Sequence, residues 1–284
     1  MQAASIDQTV LVAAGSTIDS LLHRPPLAAL ETRILISHAL QLSRVQLITQ
    51  SGRAFTEDEA QRLTALFQRR RNGEPIAYII GEREFYGLSF QVTPDVLIPR
   101  PETELLVELA LEYVPENGRV LDMGTGSGAI AVAIAYARPD VTVTALDVSE
   151  AALVIARRNA AHHQVQIEFL QSDWYDILAD QRFDIIVANP PYIVSGDSHL
   201  SQGDLRFEPI SALTDHADGL SALRTIIGGA SRHLAPEAWL LVEHGYDQAQ
   251  NVRALLEAEK LSQVQSWKDL AGIERVSGAI ASTR

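Results

Sequence analysis

The tetrapeptide Asn189-Pro190-Pro191-Tyr192 follows an apolar run that is typical of a buried strand. Because proline lacks a backbone N–H and has a fixed φ angle, this segment predicts a rigid end to the strand. The side-chain carbonyl of Asn189 and the backbone carbonyl of Pro190 could accept both hydrogens of one planar –NH₂ group, with Tyr192 packed on its flat face. Such a site would orient a poorly nucleophilic amide or base nitrogen toward an electrophile. The alternative is a turn that merely ends the strand.

A glycine-rich segment precedes it in the chain, Gly124-Thr125-Gly126-Ser127-Gly128, between an expected strand and an expected helix. Glycines permit a tight turn and the close approach of a ligand to the backbone. Asp147 ends the next expected strand about 20 residues further on, as expected of a carboxylate that binds ribose hydroxyls. These features predict a nucleoside cofactor but leave NAD and S-adenosylmethionine open, since the relaxed dinucleotide fingerprint is also satisfied.

Three further residues favour S-adenosylmethionine. Asp122 lies inside the glycine motif, where a carboxylate suits a ligand with a sulfonium and an ammonium better than it suits pyrophosphate. Asp173 and Trp174 follow the third expected strand, where Asp173 could accept a hydrogen bond from an exocyclic amine and Trp174 could cover a purine. Core packing is the alternative role for Trp174. Asn189 is expected to face the same crevice and therefore the cofactor.

Alternating strands and helices must position these residues. The sequence predicts strands at 119–124, 141–148, 166–173, 183–190 and 238–245, helices at 127–138, 149–163, 219–234 and 247–259, and a closing antiparallel pair at 264–270 and 274–280. This order is typical of a Rossmann-like α/β fold with a mostly parallel, seven-stranded sheet covered on both faces. Ligands of such sheets bind at the carboxyl ends of the strands.

The chain before this sheet is different. Apolar residues at helical spacing over 27–40 and 56–71 predict a small N-terminal helical bundle. An alternating segment with a central glycine, 84–92, predicts a β-hairpin, and Pro101 is expected in the first turn of the next helix. We therefore predict a helical substrate-recognition domain over 1–75, a linker with the hairpin over 76–100, and a methyltransferase domain over 101–284.

Composition limits the function. The net charge is −13, yet residues 1–75 are nearly neutral, so the sheet domain is acidic and suits a basic partner better than duplex DNA. The absence of cysteine excludes disulfides and thiolate metal sites, and the eight histidines show no metal-ligand spacing, so no metal is predicted. Neither a signal peptide nor a membrane-spanning segment is apparent, and we expect a cytoplasmic protein.

Several motifs together resemble the HemK family, which methylates glutamine in peptide chain release factors. The similar segments are 72–107, VLDMGTGSGAIAVAIA, SDW, FDIIVANPPYI, RFEP at 206–209 and DLAGIERV at 269–276, in the order of that family. The resemblance implies methyl transfer from S-adenosyl-L-methionine to the glutamine of a Gly-Gly-Gln loop. It assigns the cofactor to Gly124–Gly128, Asp147 and Trp174, and the glutamine amide to Asn189–Tyr192.

The same resemblance places Arg100, Glu102, Phe207 and Glu208 near the crevice without defining their roles. The expected partner is a release factor, with no direct contact to nucleic acid or membrane, and a monomer is expected. Three other functions stay open. They are methylation of a ribosomal-protein glutamine, methylation of DNA adenine, and non-catalytic binding of S-adenosylmethionine; the acidic charge opposes the second and the amide clamp opposes the third.

Overall fold

The computed structural model describes residues 11–282. The chain divides into two units, Met1–Gly81 and Glu82–Arg284. Residues 76–100, predicted as one linker, are shared between them, because Ile79 packs in the helical core of the first unit whereas Phe85 and Phe90 pack in the core of the second. The functional division into 1–75, 76–100 and 101–284 stays a prediction.

The first unit is helical, as predicted. Its described helices are α1 (Ile18–His23), α2 (Ala29–Leu40), α3 (Arg44–Thr49), α4 (Glu57–Arg71) and α5 (Ile76–Ile80). Helix α4 begins at a capping box, in which the Thr56 hydroxyl accepts from the Glu59 N–H and the Glu59 carboxylate accepts from the Thr56 N–H. These two bonds satisfy backbone donors that the first turn leaves free.

The second unit contains the remaining helices and all the described strands. In chain order they are β1 (Glu82–Phe85), β2 (Leu88–Gln91), α6 (Glu104–Tyr113), β3 (Arg119–Met123), α7 (Ala129–Ala137), β4 (Thr142–Asp147), α8 (Glu150–His162), β5 (Ile167–Gln171), β6 (Phe183–Ala188), α9 (Ile210–Leu213), α10 (Ser221–His233), β7 (Leu234–Glu243), α11 (Ala249–Ala258), β8 (Ser262–Lys268) and β9 (Glu274–Ile280). Short 3₁₀ helices occupy Pro101–Thr103, Ser198–Ser201 and Leu205–Phe207.

The predicted hairpin is present as the antiparallel pair β1 and β2, joined through Tyr86 and Gly87. Both turn residues have positive φ angles, 52° and 74°, which is the backbone of a two-residue hairpin turn. Pro101 begins a 3₁₀ turn that leads directly into α6, so its predicted position at a helix start is confirmed.

The predicted sheet is also confirmed. Its seven strands have the order β5-β4-β3-β6-β7-β9-β8, with β9 antiparallel to both β7 and β8 and the other neighbours parallel. Neighbouring residues on one strand enter separate cores: Val120 packs on one face of the sheet and Leu121 on the other, and both are completely buried. Burial on both faces explains why the strands are continuous apolar runs.

The topology brings the ends of β3, β4, β5, β6 and β7 to one edge of the sheet, and the predicted site residues follow these ends. Within residues 11–282, no helix is long and apolar enough to cross a membrane. Over the same span, histidine, aspartate and glutamate form no group of three that could hold a metal ion.

Candidate active site

A cavity of about 310 Å³ opens at the carboxyl edge of the sheet. Predicted site residues supply much of its lining: Gly124, Gly126, Asp147, Asp173, Trp174, Asn189, Pro190 and Pro191. The remaining lining residues are Ser172 and members of three segments, 94–97, 146–152 and 209–212. Four predicted residues do not line the cavity: Thr125, Ser127, Gly128 and Tyr192.

The glycine loop between β3 and α7 needs glycine for its backbone. Gly124, Gly126 and Gly128 have φ angles of 73°, 55° and 81°, a region that other residues rarely adopt. A Cβ atom at Gly124 would lie 3.8 Å from the Trp174 ring, whereas one at Gly128 would lie 3.1 Å from Ala156. The third glycine therefore permits close packing of α7 against α8, whereas the first is required by its backbone angle and not by lack of space.

Thr125 and Ser127 are buried and hold the loop against the protein. The Thr125 N–H donates to the Leu146 carbonyl at 2.8 Å, and the Ser127 carbonyl accepts from the Asn159 side-chain amide at 2.8 Å. Both contacts fix the loop between strands β3 and β4 and helix α8. Their predicted role in binding the cofactor stays a prediction.

Asp122 is completely buried below the loop and does not line the cavity. Its Oδ2 atom accepts from the Thr125 hydroxyl at 2.6 Å, and Oδ1 has no hydrogen-bond donor among the described residues. Burial raises the pKa of Asp122 to about 7. Near neutral pH the carboxyl is thus only partly ionised, so its attraction for a cationic ligand is weaker than the sequence suggested, and its bond to Thr125 supports the shape of the loop.

Asp147 lies at the end of β4, as predicted, and faces the cavity. Its two carboxylate oxygens accept from the backbone N–H groups of Gly126 and Ser149, each at 2.9 Å. Burial raises the pKa of Asp147, and these backbone hydrogen bonds oppose the rise. The carboxylate keeps further lone pairs that could accept from ligand hydroxyls.

Asp173 and Trp174 follow β5, and both line the cavity. Trp174 has a φ angle of 47° and is partly buried, with its carbonyl bonded by the Ser172 hydroxyl at 3.0 Å. The ring packs partly against the sheet core and also lines the cavity, so core packing accounts for part of its position and its role in covering a purine stays a prediction.

The tetrapeptide begins directly after β6. Asn189 faces the cavity, and its Nδ2 atom donates to the Thr103 hydroxyl at 3.1 Å. The Oδ1 atom of Asn189 has no hydrogen-bond donor among the described residues. Fixing Nδ2 therefore leaves Oδ1 available as an acceptor.

Tyr192 lies below the cavity wall rather than on it. Its hydroxyl donates to Oε1 of Glu243 at 3.3 Å, and its carbonyl accepts from the Gln248 side-chain amide at 3.0 Å. Burial, together with the nearby Glu243 carboxylate, raises the pKa of the Tyr192 hydroxyl well above its usual value. The phenol is thus neutral, and both its hydroxyl and the backbone carbonyl of Tyr192 are hydrogen-bonded.

Sequence reasoning missed Glu243 and Thr103. Glu243 ends strand β7 and is 1 % exposed, and burial raises the pKa of its carboxyl to about 7. The nearby hydroxyls of Thr103 and Tyr192 oppose that rise. The signal available in the sequence was an acidic residue at the end of an apolar run, LLVE, which is costly to bury without a purpose.

Two of the four residues of undefined role form an ion pair. The Arg100 guanidinium bonds the buried Glu208 carboxylate, which also accepts from the Ile98 N–H at 3.1 Å. This pair joins the segment before α6 to the segment that carries Pro209 on the cavity wall. Phe207 lies under the Arg206 guanidinium at 4.9 Å.

Comparison with known proteins identifies two domains and close relatives. Residues 18–81 match the PrmC N-terminal domain, and residues 101–204 match the methyltransferase small domain. The release factor glutamine methyltransferase of Neisseria gonorrhoeae is 52% identical over 92% of this chain and 96% of its own length. The enzyme of the same name from Burkholderia pseudomallei is 54% identical over 93% and 95%.

A solved structure has a similar fold at lower identity. A methyltransferase from Pyrococcus furiosus superposes with a TM-score of 0.54 and 17% identity, and the match covers 76% of this chain and 98% of that one. This similarity extends the fold assignment beyond the sequence relatives.

Proposed function

Since the chain belongs to the family of release factor glutamine methyltransferases, we propose that it methylates the side-chain amide nitrogen of a release factor glutamine. The methyl donor is S-adenosyl-L-methionine, and the target is the glutamine of the Gly-Gly-Gln loop. The observation that carries the proposal is the orientation of Asn189, whose Nδ2 atom is bound by Thr103 and whose Oδ1 atom is available at the cavity.

The cavity fits the methyl donor. Bound S-adenosylmethionine supplies a methyl group that is electrophilic because its sulfur is positively charged. Transfer replaces a C–S bond by a C–N bond, the sulfur leaves as a neutral thioether, and the amide nitrogen loses one hydrogen as a proton to solvent. Asp147 would accept from the ribose hydroxyls, Asp173 would accept from the adenine amine, and Trp174 would cover the adenine face. Gly124 and Gly126 let the ligand approach the backbone because neither carries a side chain.

The clamp would bind the acceptor amide. The Oδ1 atom of Asn189 and the carbonyl of Pro190 would each accept one hydrogen of the glutamine –NH₂ group, which holds the nitrogen in place and raises its electron density. The bond to Thr103 already orients Asn189 before the substrate binds, and the proline ring restricts the backbone at Pro190, so little reorganisation would be required during the reaction. A strand-ending turn alone would need neither the Asn189–Thr103 bond nor the position at the cavity.

We assign recognition of the release factor to the helical unit. That unit has its own buried core, including Leu35, Leu63 and Phe67, and every residue that lines the cavity belongs to the other unit. The acidic charge of the second unit complements a basic protein substrate. We further propose a cytoplasmic monomer that acts on the protein without contacting nucleic acid.

The test is a comparison of substrates with a labelled methyl donor. Purified enzyme is incubated with a release factor, with the same factor carrying alanine in place of the loop glutamine, with ribosomal proteins and with duplex DNA. Label in the intact release factor alone supports the proposal. Label in ribosomal protein or in DNA instead would replace it by one of the alternative substrates.

A further inference from the structure

Glu243 is a carboxylate in an unusual place. It ends β7, and the parallel register pairs Ala188 with Val242, so Glu243 lies beside Asn189 at the same edge of the sheet. The residue is 1 % exposed, although burial of a carboxylate is costly unless hydrogen bonds or charges compensate. It does not line the cavity, so a direct contact with substrate does not explain it.

The partners of Glu243 are parts of the amide clamp. The Tyr192 hydroxyl donates to Oε1 at 3.3 Å, and the Thr103 hydroxyl is near enough to the carboxylate to lower its pKa. The Oε2 atom is buried and has no hydrogen-bond donor within residues 11–282, so it could accept the hydrogen of a neighbouring hydroxyl. Thr103 accepts from Asn189 at 3.1 Å, so its own hydrogen is free to point to the buried carboxylate that the Tyr192 hydroxyl also contacts.

The donors and acceptors that these groups carry determine which group donates in each hydrogen bond. An ionised carboxylate can only accept hydrogen bonds, and a threonine hydroxyl has a single hydrogen to donate. When the Thr103 hydrogen points to Glu243, the Thr103 oxygen can only accept from Asn189. Asn189 must then turn its Nδ2 atom toward Thr103 and its Oδ1 atom toward the cavity.

A hydrogen-bond donor in place of the ionised Glu243 carboxylate would weaken the preference for this orientation of the Asn189 amide. The Thr103 hydrogen could then point to Asn189, which would bond it through Oδ1 and turn its own –NH₂ group toward the cavity. The –NH₂ group of Asn189 would then face the –NH₂ group of the substrate glutamine, and Asn189 would offer it no acceptor. We propose that Glu243 is a positioning residue that sets the direction of the Asn189 amide through Thr103 and holds the ring of Tyr192. This inference rests on the proposed function.

The groups around Glu243 define its expected titration. Arg275 on β9 favours the ionised form, whereas Glu102 before α6 and burial disfavour it, and the pKa of Glu243 is raised to about 7. Arg100 lies near Tyr192, and the pKa of the adjacent His244 is lowered by burial. As the pH falls through about 7, Glu243 gains a hydrogen and becomes able to donate, so the turnover rate should fall.

The experiment measures methyl transfer to a release factor by purified enzyme at pH 6 to 9. We expect Glu243→Gln to lower kcat about 10- to 100-fold, with unchanged affinity for S-adenosylmethionine, and to lose the decline of kcat below about pH 7. Glu237→Gln, an exposed residue on the same strand, is the matched control and should behave as wild type.

Thr103 variants test the path. Thr103→Val should lower kcat to a similar extent, whereas Thr103→Ser, which keeps the hydroxyl, should have a kcat near that of the wild type. The double variant Thr103→Val with Glu243→Gln should be no slower than the slower of the two single variants. Thermal unfolding of each variant separates lost folding from lost positioning. A wild-type enzyme that leaves the release factor unmethylated refutes the proposed function and the inference with it. If the wild type is active and the folded Glu243→Gln variant has the same kcat and pH profile, this inference alone is overturned.

Discussion

Replacement of Asn189 by alanine tests the amide clamp. The change removes Oδ1, one of the two acceptors proposed for the glutamine –NH₂ group, and the 3.1 Å bond from Nδ2 to Thr103. The glycine loop is left intact, because Asp147 still accepts from the Gly126 N–H. Loss of one preorganised polar contact costs about 10² to 10³ in rate, equivalent to roughly 3–4 kcal/mol of transition-state stabilisation.

A second variant separates the two functions of the Asn189 side chain. Asn189→Asp keeps an acceptor oxygen at the cavity but loses the donor to Thr103, so the orientation of the group is no longer defined. We expect a rate between those of the wild type and of Asn189→Ala. The alanine variant lacks both the acceptor and the donor, and the aspartate variant lacks only the donor.

Single-turnover methylation of a release factor is the suitable assay, with donor affinity measured separately by calorimetry. The expected pattern is a slow chemical step with nearly unchanged donor affinity. If Asn189→Ala methylates at a rate near that of the wild type, the clamp does not exist and the tetrapeptide only ends β6. If donor affinity falls as much as the rate, Asn189 acts on the cofactor and not on the amide.

Three further changes address the cofactor, the helical unit and the buried charge. Asp147→Ala should weaken S-adenosylmethionine by about 1–3 kcal/mol in calorimetry, the cost of charge-assisted bonds to ribose, and unchanged affinity would place the ribose elsewhere. Removal of residues 1–81 should preserve binding of S-adenosylmethionine and abolish methylation of the whole release factor. Methylation at the full rate would show that the helical unit has another function. Burial raises the pKa of Asp122 from 3.8 to about 7. Since the folded state holds this proton more tightly, the free energy of unfolding should fall by about 4 kcal/mol as the pH rises from about 4 to about 7. Denaturant titrations of Asp122→Asn should lack this component, and an unchanged pH dependence would show that Asp122 titrates normally.

The sheet and its edge were predictable because the pattern is local. Each strand is a short apolar run, and the ends of parallel strands must meet at one edge, which brings Gly126, Asp147 and Asn189 to one cavity. Three short helices of the first unit, Ile18–His23, Arg44–Thr49 and Ile76–Ile80, were not predicted. Helices of five or six residues span too few turns to show a periodic apolar face.

The support of the site was not predictable, because it depends on strand order. Glu243 neighbours Asn189 only because β7 lies next to β6, and Thr103 accepts from Asn189 although it lies 86 residues before it. Arg100 and Glu208 pair across a similar separation. A single sequence carries no signal for these contacts, so the residues were either unassigned or placed only by resemblance.

The proposed position of the methyl group provides the most direct test of the account. A release factor is incubated with the enzyme and a deuterated methyl donor, digested, and analysed by tandem mass spectrometry of the peptide that carries the Gly-Gly-Gln loop. We predict one labelled methyl group on the side-chain amide of the loop glutamine, and none when Asn189→Ala enzyme is used for the same short time. A label on any other residue, or no label with active donor-binding enzyme, would contradict the account.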